Sequence, residues 1–112
     1  MNGAHTQAEV LQRITKFNKD RNWGQFHTPA NLAKSIVLEA AELLENFQWT
    51  EDNYEEIAVQ QELADVLIYA YQFALRMEWD VNTIMLEKLD LNEQKYPVEK
   101  SKGKSLKYTE LK

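Results

Sequence analysis

The sequence predicts an all-α fold: a four-helix bundle-like arrangement followed by an extended C-terminal tail. Three observations lead there. Apolar residues recur at spacings of three and four in four successive segments, the signature of helices packed on one side. Only three glycines and two prolines punctuate the 112 residues, too few for a fold of many short strands. Recognisable start and stop signals also flank the periodic segments. The length suits a single domain over residues 1–112, with the tail at 97–112.

The first helix opens at Thr6-Gln7-Ala8-Glu9, which has the form of a capping box, and is predicted to run to about Arg21. Val10, Ile14 and Phe17 form its apolar stripe, with Leu11 beside them. Asn22–His27 is a predicted loop carrying two aromatics and a histidine. Thr28-Pro29 then reads as an N-cap followed by proline in the first helical position. The second helix is expected to extend to about Gln48. Its predicted core face is Ala33, Ile36 or Val37, Ala40, Leu44 and Phe47; a separate polar stripe holds Ser35, Glu39, Glu42, Asn46 and Trp49. After a polar turn at Thr50–Asn53, a third helix is predicted from near Tyr54 to about Met77. It is apolar on most sides, through Leu63, Val66, Leu67, Ala70 and Ala74 among others. One narrow polar stripe remains: Glu62, Asp65, Tyr69, Gln72 and Arg76. Such a helix needs neighbours on several sides, and a chain this short predicts that another subunit supplies some of them. Asp80 caps a fourth helix from Val81 to about Tyr96, which Pro97 stops. Its apolar set is Ile84, Met85 or Leu86, Leu89 and Leu91, while Lys88, Asn92 and Lys95 share a polar face.

Composition excludes several classes. No stretch approaches the roughly 18 apolar residues of a membrane helix, and Met1–His5 lacks the pattern of a signal peptide. There is no cysteine, so disulfides and thiolate metal sites are ruled out. A cytoplasmic protein is the expectation. Net charge is −5, unevenly spread: residues 1–96 hold 8 Lys+Arg against 16 Asp+Glu, and residues 97–112 hold 5 against 2. An acidic body argues against nucleic acid as a partner.

Two acidic motifs organise the chain. Glu39-Ala40-Ala41-Glu42 and Glu62-Leu63-Ala64-Asp65 each place two carboxylates three residues apart, on one face of a helix. Both lie among apolar residues, where carboxylates need a compensating charge. Two such pairs facing one another would gather four negative charges in a cleft, a site for a hard cation. Di-iron bundles use Glu-x-x-His, which neither His5 nor His27 completes. An all-oxygen set favours Mg²⁺, with Mn²⁺ as the other possibility. Glu45 is rotated partly away from Glu42, either a second acid beside the metal or a solvated one. Lys88 and Lys95 are cations for phosphates, and Trp23, Phe26 and Trp49 are flat surfaces for a base. Together these point to a nucleotide polyphosphate.

Leu38-Glu39-Ala40-Ala41-Glu42-Leu43 with Glu62-Leu63-Ala64-Asp65-Val66-Leu67-Ile68-Tyr69 resembles the MazG-like all-α nucleoside triphosphate pyrophosphohydrolases, in particular their dCTP pyrophosphatase branch. Arg21–His27, Phe47-Gln48-Trp49, Lys88–Asn92, Lys95-Tyr96-Pro97 and Lys107-Tyr108-Thr109-Glu110-Leu111 are similar to that branch as well. The resemblance implies cleavage between the α- and β-phosphates, giving a nucleoside monophosphate and pyrophosphate, in a nucleotide-pool housecleaning role. It implies Glu39, Glu42, Glu62 and Asp65 as Mg²⁺ ligands. Trp23, Gly24, Gln25, Phe26, His27, Trp49 and Tyr69 would contact the nucleotide, and Lys88, Asn92, Lys95 and Tyr96 its phosphates. Glu42 and Glu45 are the candidates for the base that takes the proton of the attacking water. The family also implies a homotetramer built as a dimer of dimers. One position departs: the dCTP branch often carries a substrate-contacting histidine in the first helix, where this chain has Ile14, so strict dCTP preference does not follow. The competing class is a non-catalytic helical oligomer that senses nucleotides or binds a partner protein.

Overall fold

The computed structural model describes residues 4–103. It consists of α1 (Gln7–Arg21), a single 3₁₀ turn (Gly24–Phe26), α2 (Pro29–Glu45), α3 (Glu56–Met77), α4 (Val81–Lys95) and the one-turn α5 (Val98–Ser101). No strand occurs among the described residues. The all-α expectation therefore holds. None of these helices is long and apolar enough to cross a membrane. The chain divides into two compact units, residues 1–79 and residues 80–112.

The capping signals act as their chemistry dictates. Thr6 Oγ1 accepts from the Glu9 amide at 3.1 Å, and Thr28 Oγ1 from the Asn31 amide at 3.1 Å. The Glu9 carboxylate pairs with His5 Nδ1 at 3.0 Å rather than closing the box on Thr6. At the other end of α1, Asn22 adopts the left-handed region (φ 54°), which asparagine tolerates better than most residues. Its amide donates to the Asn18 and Lys19 carbonyls, and the Trp23 amide donates to Asn18 at 3.0 Å. This turn ends the helix and swings Trp23 back, edge-on to Phe17 at 5.5 Å between ring centroids. The Arg21 guanidinium covers the Phe17 ring at 3.7 Å.

Helices α2 and α3 pack on one another as a helical hairpin. Phe47 and Tyr54 close its turn, ring against ring at 4.9 Å. The Asn46 side-chain nitrogen donates to the carbonyls of Glu42 and Leu43 at the end of α2, where the Asn46 backbone amide also donates to Leu43. Helix α2 thus stops at Glu45, short of the expected Gln48, and α3 starts at Glu56 rather than Tyr54. The residues between are committed to the aromatic contact and to the turn held by Thr50 Oγ1 and the Asn53 amide.

The expected core face of α2 is corrected in part: Ile36 and Phe47 are half-buried as expected, and the other members are not. Leu32 is the fully buried residue, at 1% exposure, and Ile36, Glu39 and Leu43 share its half-buried side. Ala33, Ala40, Val37 and Leu44 are exposed, the last two at 67% each. Both sets have helical spacing and lie about 100° apart, so periodicity alone does not choose between them. On α3 the polar stripe Glu62–Asp65–Tyr69–Gln72 turns inward beside Val66, Ala70 and Ala74, while Leu63 and Leu67 turn outward.

In the unit 80–112, Asp80 caps α4. Its carboxylate accepts from the Thr83 amide at 2.9 Å and from the Thr83 hydroxyl at 2.8 Å, and these bonds lower its pKa. Pro97 ends α4 as expected, but the chain turns at once into α5 instead of extending. The Lys107–Leu111 motif lies outside the described residues.

Candidate active site

The facing stripes of α2 and α3 bring the acids together. One carboxylate oxygen from each of Glu39, Glu42 and Glu62 lies within 4.8 Å of the others. Helical spacing sets Glu39 and Glu42 nearly one turn apart on α2, and the Phe47–Tyr54 contact sets the register that brings α3 opposite. Glu39 Oε2 and Glu62 Oε2 are enclosed and accept no hydrogen bond from the protein. Such orphaned acceptors are uncommon and call for a partner.

Electrostatics show the same crowding. The Glu39 carboxyl is pushed up from 4.5 to about 7. A hydrogen bond shared with Glu42 is the largest cause, followed by burial and then by the negative charges of Glu42, Asp65 and Glu62. Glu62 is raised too, first by burial, then by a hydrogen bond with Glu42, then by the charges of Glu42, Asp65 and Glu45. The acids of the two motifs, together with Glu45, therefore belong to one electrostatic unit. Neighbouring carboxylates cannot all ionise cheaply, so they share protons or take a cation. The donor set, all oxygen and multiply anionic, fits a hard divalent ion.

A cavity of about 430 Å³ adjoins this cluster through Asp65. Trp23, Phe17, Ile14, Ile68 and Tyr69 give it flat and apolar walls, and Arg13, Asn18, His27 and Gln72 give it polar ones. A second cavity of about 360 Å³ shares Asn18, His27 and Gln72 with the first and adds Gly24, Lys19 and Arg76. The loop that supplies Trp23 and His27 is tied down by a side chain of its own and by one from α2. Gln25 donates to the Asn22 carbonyl at 2.9 Å, and Asn31 of α2 donates to the Phe26 carbonyl at 3.0 Å.

Four predicted nucleotide-site residues thus meet in one cavity or its neighbour: Trp23, Gly24, His27 and Tyr69. Gln25 and Phe26 line neither, and Trp49, 89% exposed after the end of α2, lines neither. Lys88, Asn92 and Lys95 share a face of α4, and Tyr96 is its C-cap, donating its amide to the Asn92 carbonyl at 2.8 Å. Asn18, Gln72 and Arg13 also line the aromatic-walled cavity, and the sequence does not single them out for it. Gln72 sits in the polar stripe of α3, one turn beyond Tyr69, and that continuation is the available signal. Asn18 stands one turn beyond Ile14 and carries no signal of its own.

The model of the MazG-like family matches residues 34–111, which include both acidic motifs. This chain belongs to the MazG-like family. Among its relatives, mouse dCTP pyrophosphatase 1 is 39% identical over 95% of this chain and 68% of its own length. The human dCTP pyrophosphatase 1 is 38% identical over the same shares. In three dimensions the MazG-like chain is similar to a pyrophosphatase from Archaeoglobus fulgidus, with a TM-score of 0.75 and 39% identity. That likeness covers 87% of this chain and 97% of the other.

Proposed function

We propose that this protein is a Mg²⁺-dependent nucleoside triphosphate pyrophosphohydrolase. It cleaves dCTP or a related pyrimidine deoxynucleotide to the monophosphate and pyrophosphate, clearing the nucleotide pool of the cytoplasm. One observation carries the reading: carboxylates of α2 and α3 converge within 4.8 Å beside an aromatic-walled cavity. Relatives that bear the name dCTP pyrophosphatase support the same chemistry.

Glu39, Glu42, Glu62 and Asp65 hold the metal, Mg²⁺ or Mn²⁺. When bound there, the ion would supply charge neutralisation at the phosphates and would lower the pKa of a water. Glu39 and Glu62 offer oxygens that accept nothing else from the protein. Glu42, whose carboxylate lies within 4.8 Å of those of Glu39 and Glu62, or Glu45 takes the proton of the attacking water. Trp23 and Tyr69 flank the base, with Gly24, Gln25, Phe26, His27 and Trp49 completing the nucleotide site. Lys88, Asn92, Lys95 and Tyr96 serve the phosphates. The acidic body of the chain keeps nucleic acid away.

The protein assembles as a homotetramer, a dimer of dimers. The exposed aliphatic side of the hairpin, Val37, Leu38, Leu44 and Leu67, supports association with further copies.

Pyrophosphate release over a panel of nucleoside triphosphates, with and without Mg²⁺, tests the proposal. Metal-dependent release from a deoxycytidine or related pyrimidine nucleotide is expected. Nucleotide binding without release from any member would leave a sensor and overturn the enzyme.

A further inference from the structure

Gln72 is the one buried polar residue among the described residues, at 9% exposure. Its Oε1 is enclosed and accepts no hydrogen bond from the protein, and the same holds for Asn18 Oδ1. The two residues come from different helices, α3 and α1, and both line the aromatic-walled cavity. An enclosed acceptor left unpaired loses its bonds to water and gains none in return, so a pair of them in one cavity wall marks a place where a donor is expected.

Their position along the cavity identifies the donor. Asp65 brings the acid cluster to one part of the lining, and Gln72 follows it seven residues later on the same face of α3. At 1.5 Å per residue that is about 10 Å, roughly the distance from a nucleotide's phosphates to the far edge of its base. With phosphates at the acids and the ring between apolar and aromatic walls, the base's hydrogen-bonding edge reaches Asn18 and Gln72.

We propose that Asn18 and Gln72 read the base, selecting rings that carry an exocyclic amine beside an unprotonated ring nitrogen. The inference rests on the nucleotide-hydrolase reading of the same cavity. An amine with two N–H groups can donate to both amide oxygens at once, and the amide N–H groups can donate to the ring nitrogen. The structure leaves the oxygen of each amide unpaired, and it is this orientation, kept by the cavity wall, that an amine matches and a carbonyl does not. Thymine and uracil present a carbonyl in place of the amine. That carbonyl leaves both acceptors unpaired and adds a third beside them. Ile14, also in the lining, offers no hydrogen bond and leaves the edge to these two amides. Cytosine and adenine share the selected edge, and size against the cavity walls separates them.

Steady-state kcat/KM with dCTP, dATP, dTTP and dUTP tests this, using wild type, Gln72→Met and Asn18→Leu. Methionine keeps the volume of glutamine, and melting curves verify that each variant is folded. Wild type is expected to favour an amine-bearing base over dTTP and dUTP by about tenfold or more, the discrimination typical of a bidentate amide contact. Each variant is expected to bring the amine-to-carbonyl ratio towards one. A dCTP preference over dATP assigns the site to cytosine, and the reverse assigns it to adenine; either supports the amide pair. Equal use of all four by wild type overturns the inference. So does a variant that lowers all four rates equally, because a structural role does that. If wild type turns over no triphosphate, the enzymatic proposal fails separately. Binding of dCMP against dTMP by calorimetry then decides the amide pair: tighter dCMP binding, lost in the variants, supports it, and equal or undetectable binding of both overturns it.

Discussion

The α2–α3 hairpin has two sides that invert the usual arrangement of a small protein. Its inner side carries Glu39, Glu62, Asp65 and Gln72, all half-buried or buried. Its outer side carries Val37, Leu44, Leu63 and Leu67, all exposed. Burying carboxylates while exposing aliphatics is unfavourable for a chain acting alone. Each side fits the role proposed for it: binding of a cation and nucleotide inside, association with further copies of the chain outside. The inner side is therefore expected to answer to metal and pH, and the outer side to protein concentration.

The largest effect belongs to the inner side. Glu39→Gln or Glu62→Gln should lower kcat/KM by more than about 100-fold, beyond the loss typical of a residue that only orients a ligand. Activity near wild type in either variant would separate the acid cluster from catalysis. Glu42→Gln against Glu45→Gln distinguishes the two candidate bases: the true base loses kcat, and the other position changes chiefly the Mg²⁺ requirement.

The outer side comes next. Val37→Lys with Leu44→Lys places two charges on a surface proposed to be covered by another copy. An uncompensated buried charge at an interface costs about 2–5 kcal/mol, enough to break a micromolar assembly. Light scattering should show a smaller species than wild type while circular dichroism keeps its helical signature. An unchanged mass would mean this face is not the interface.

A pH effect sharpens the contrast. Folded, metal-free protein holds a proton on Glu39 up to about pH 7, whereas the ordinary value is 4.5. Between those values the unfolded chain binds fewer protons than the folded one, so this group's stabilising contribution falls as pH rises. Relative to Glu39→Gln, wild type should therefore lose melting temperature between pH 5 and pH 8 (roughly the span of that shift). The Val37→Lys, Leu44→Lys variant should retain the same pH dependence as wild type.

Much of this division is legible in the sequence, and the parts that are not have physical reasons. The paired acids stand out because E-x-x-E and E-x-x-D inside apolar helices put carboxylates where a cation or a shared proton is needed to make them tolerable. Thr6, Thr28, Asp80 and Pro97 bound helices as their chemistry requires. The inward face of α2 escapes a reading of periodicity because Leu32-Ile36-Leu43 and Ala33-Val37-Ala40-Leu44 have equally good helical spacing. Only packing against α3 distinguishes them. The early end of α2 follows from side-chain contacts, Asn46 on the carbonyls and Phe47 on Tyr54, that no local pattern encodes. Asn18 and Gln72 come from separate helices and meet only in three dimensions.

The smallest effect concerns Trp49, which lies on neither side of the hairpin. At 89% exposure its truncation to alanine should leave the melting temperature within about 2 °C, as surface changes generally do. If Trp49 covers the bound base, KM for the nucleotide rises; an unchanged KM removes it from the site.

The most direct test of the two-sided account is the melting temperature with and without millimolar Mg²⁺, measured in parallel for wild type, Glu39→Gln and the Val37→Lys, Leu44→Lys variant. A ligand that binds only the folded state raises stability by mass action. The account predicts a clear upward shift for wild type and for the outer-face variant, and little or none for Glu39→Gln. An equal shift in all three, or none in wild type, would contradict it.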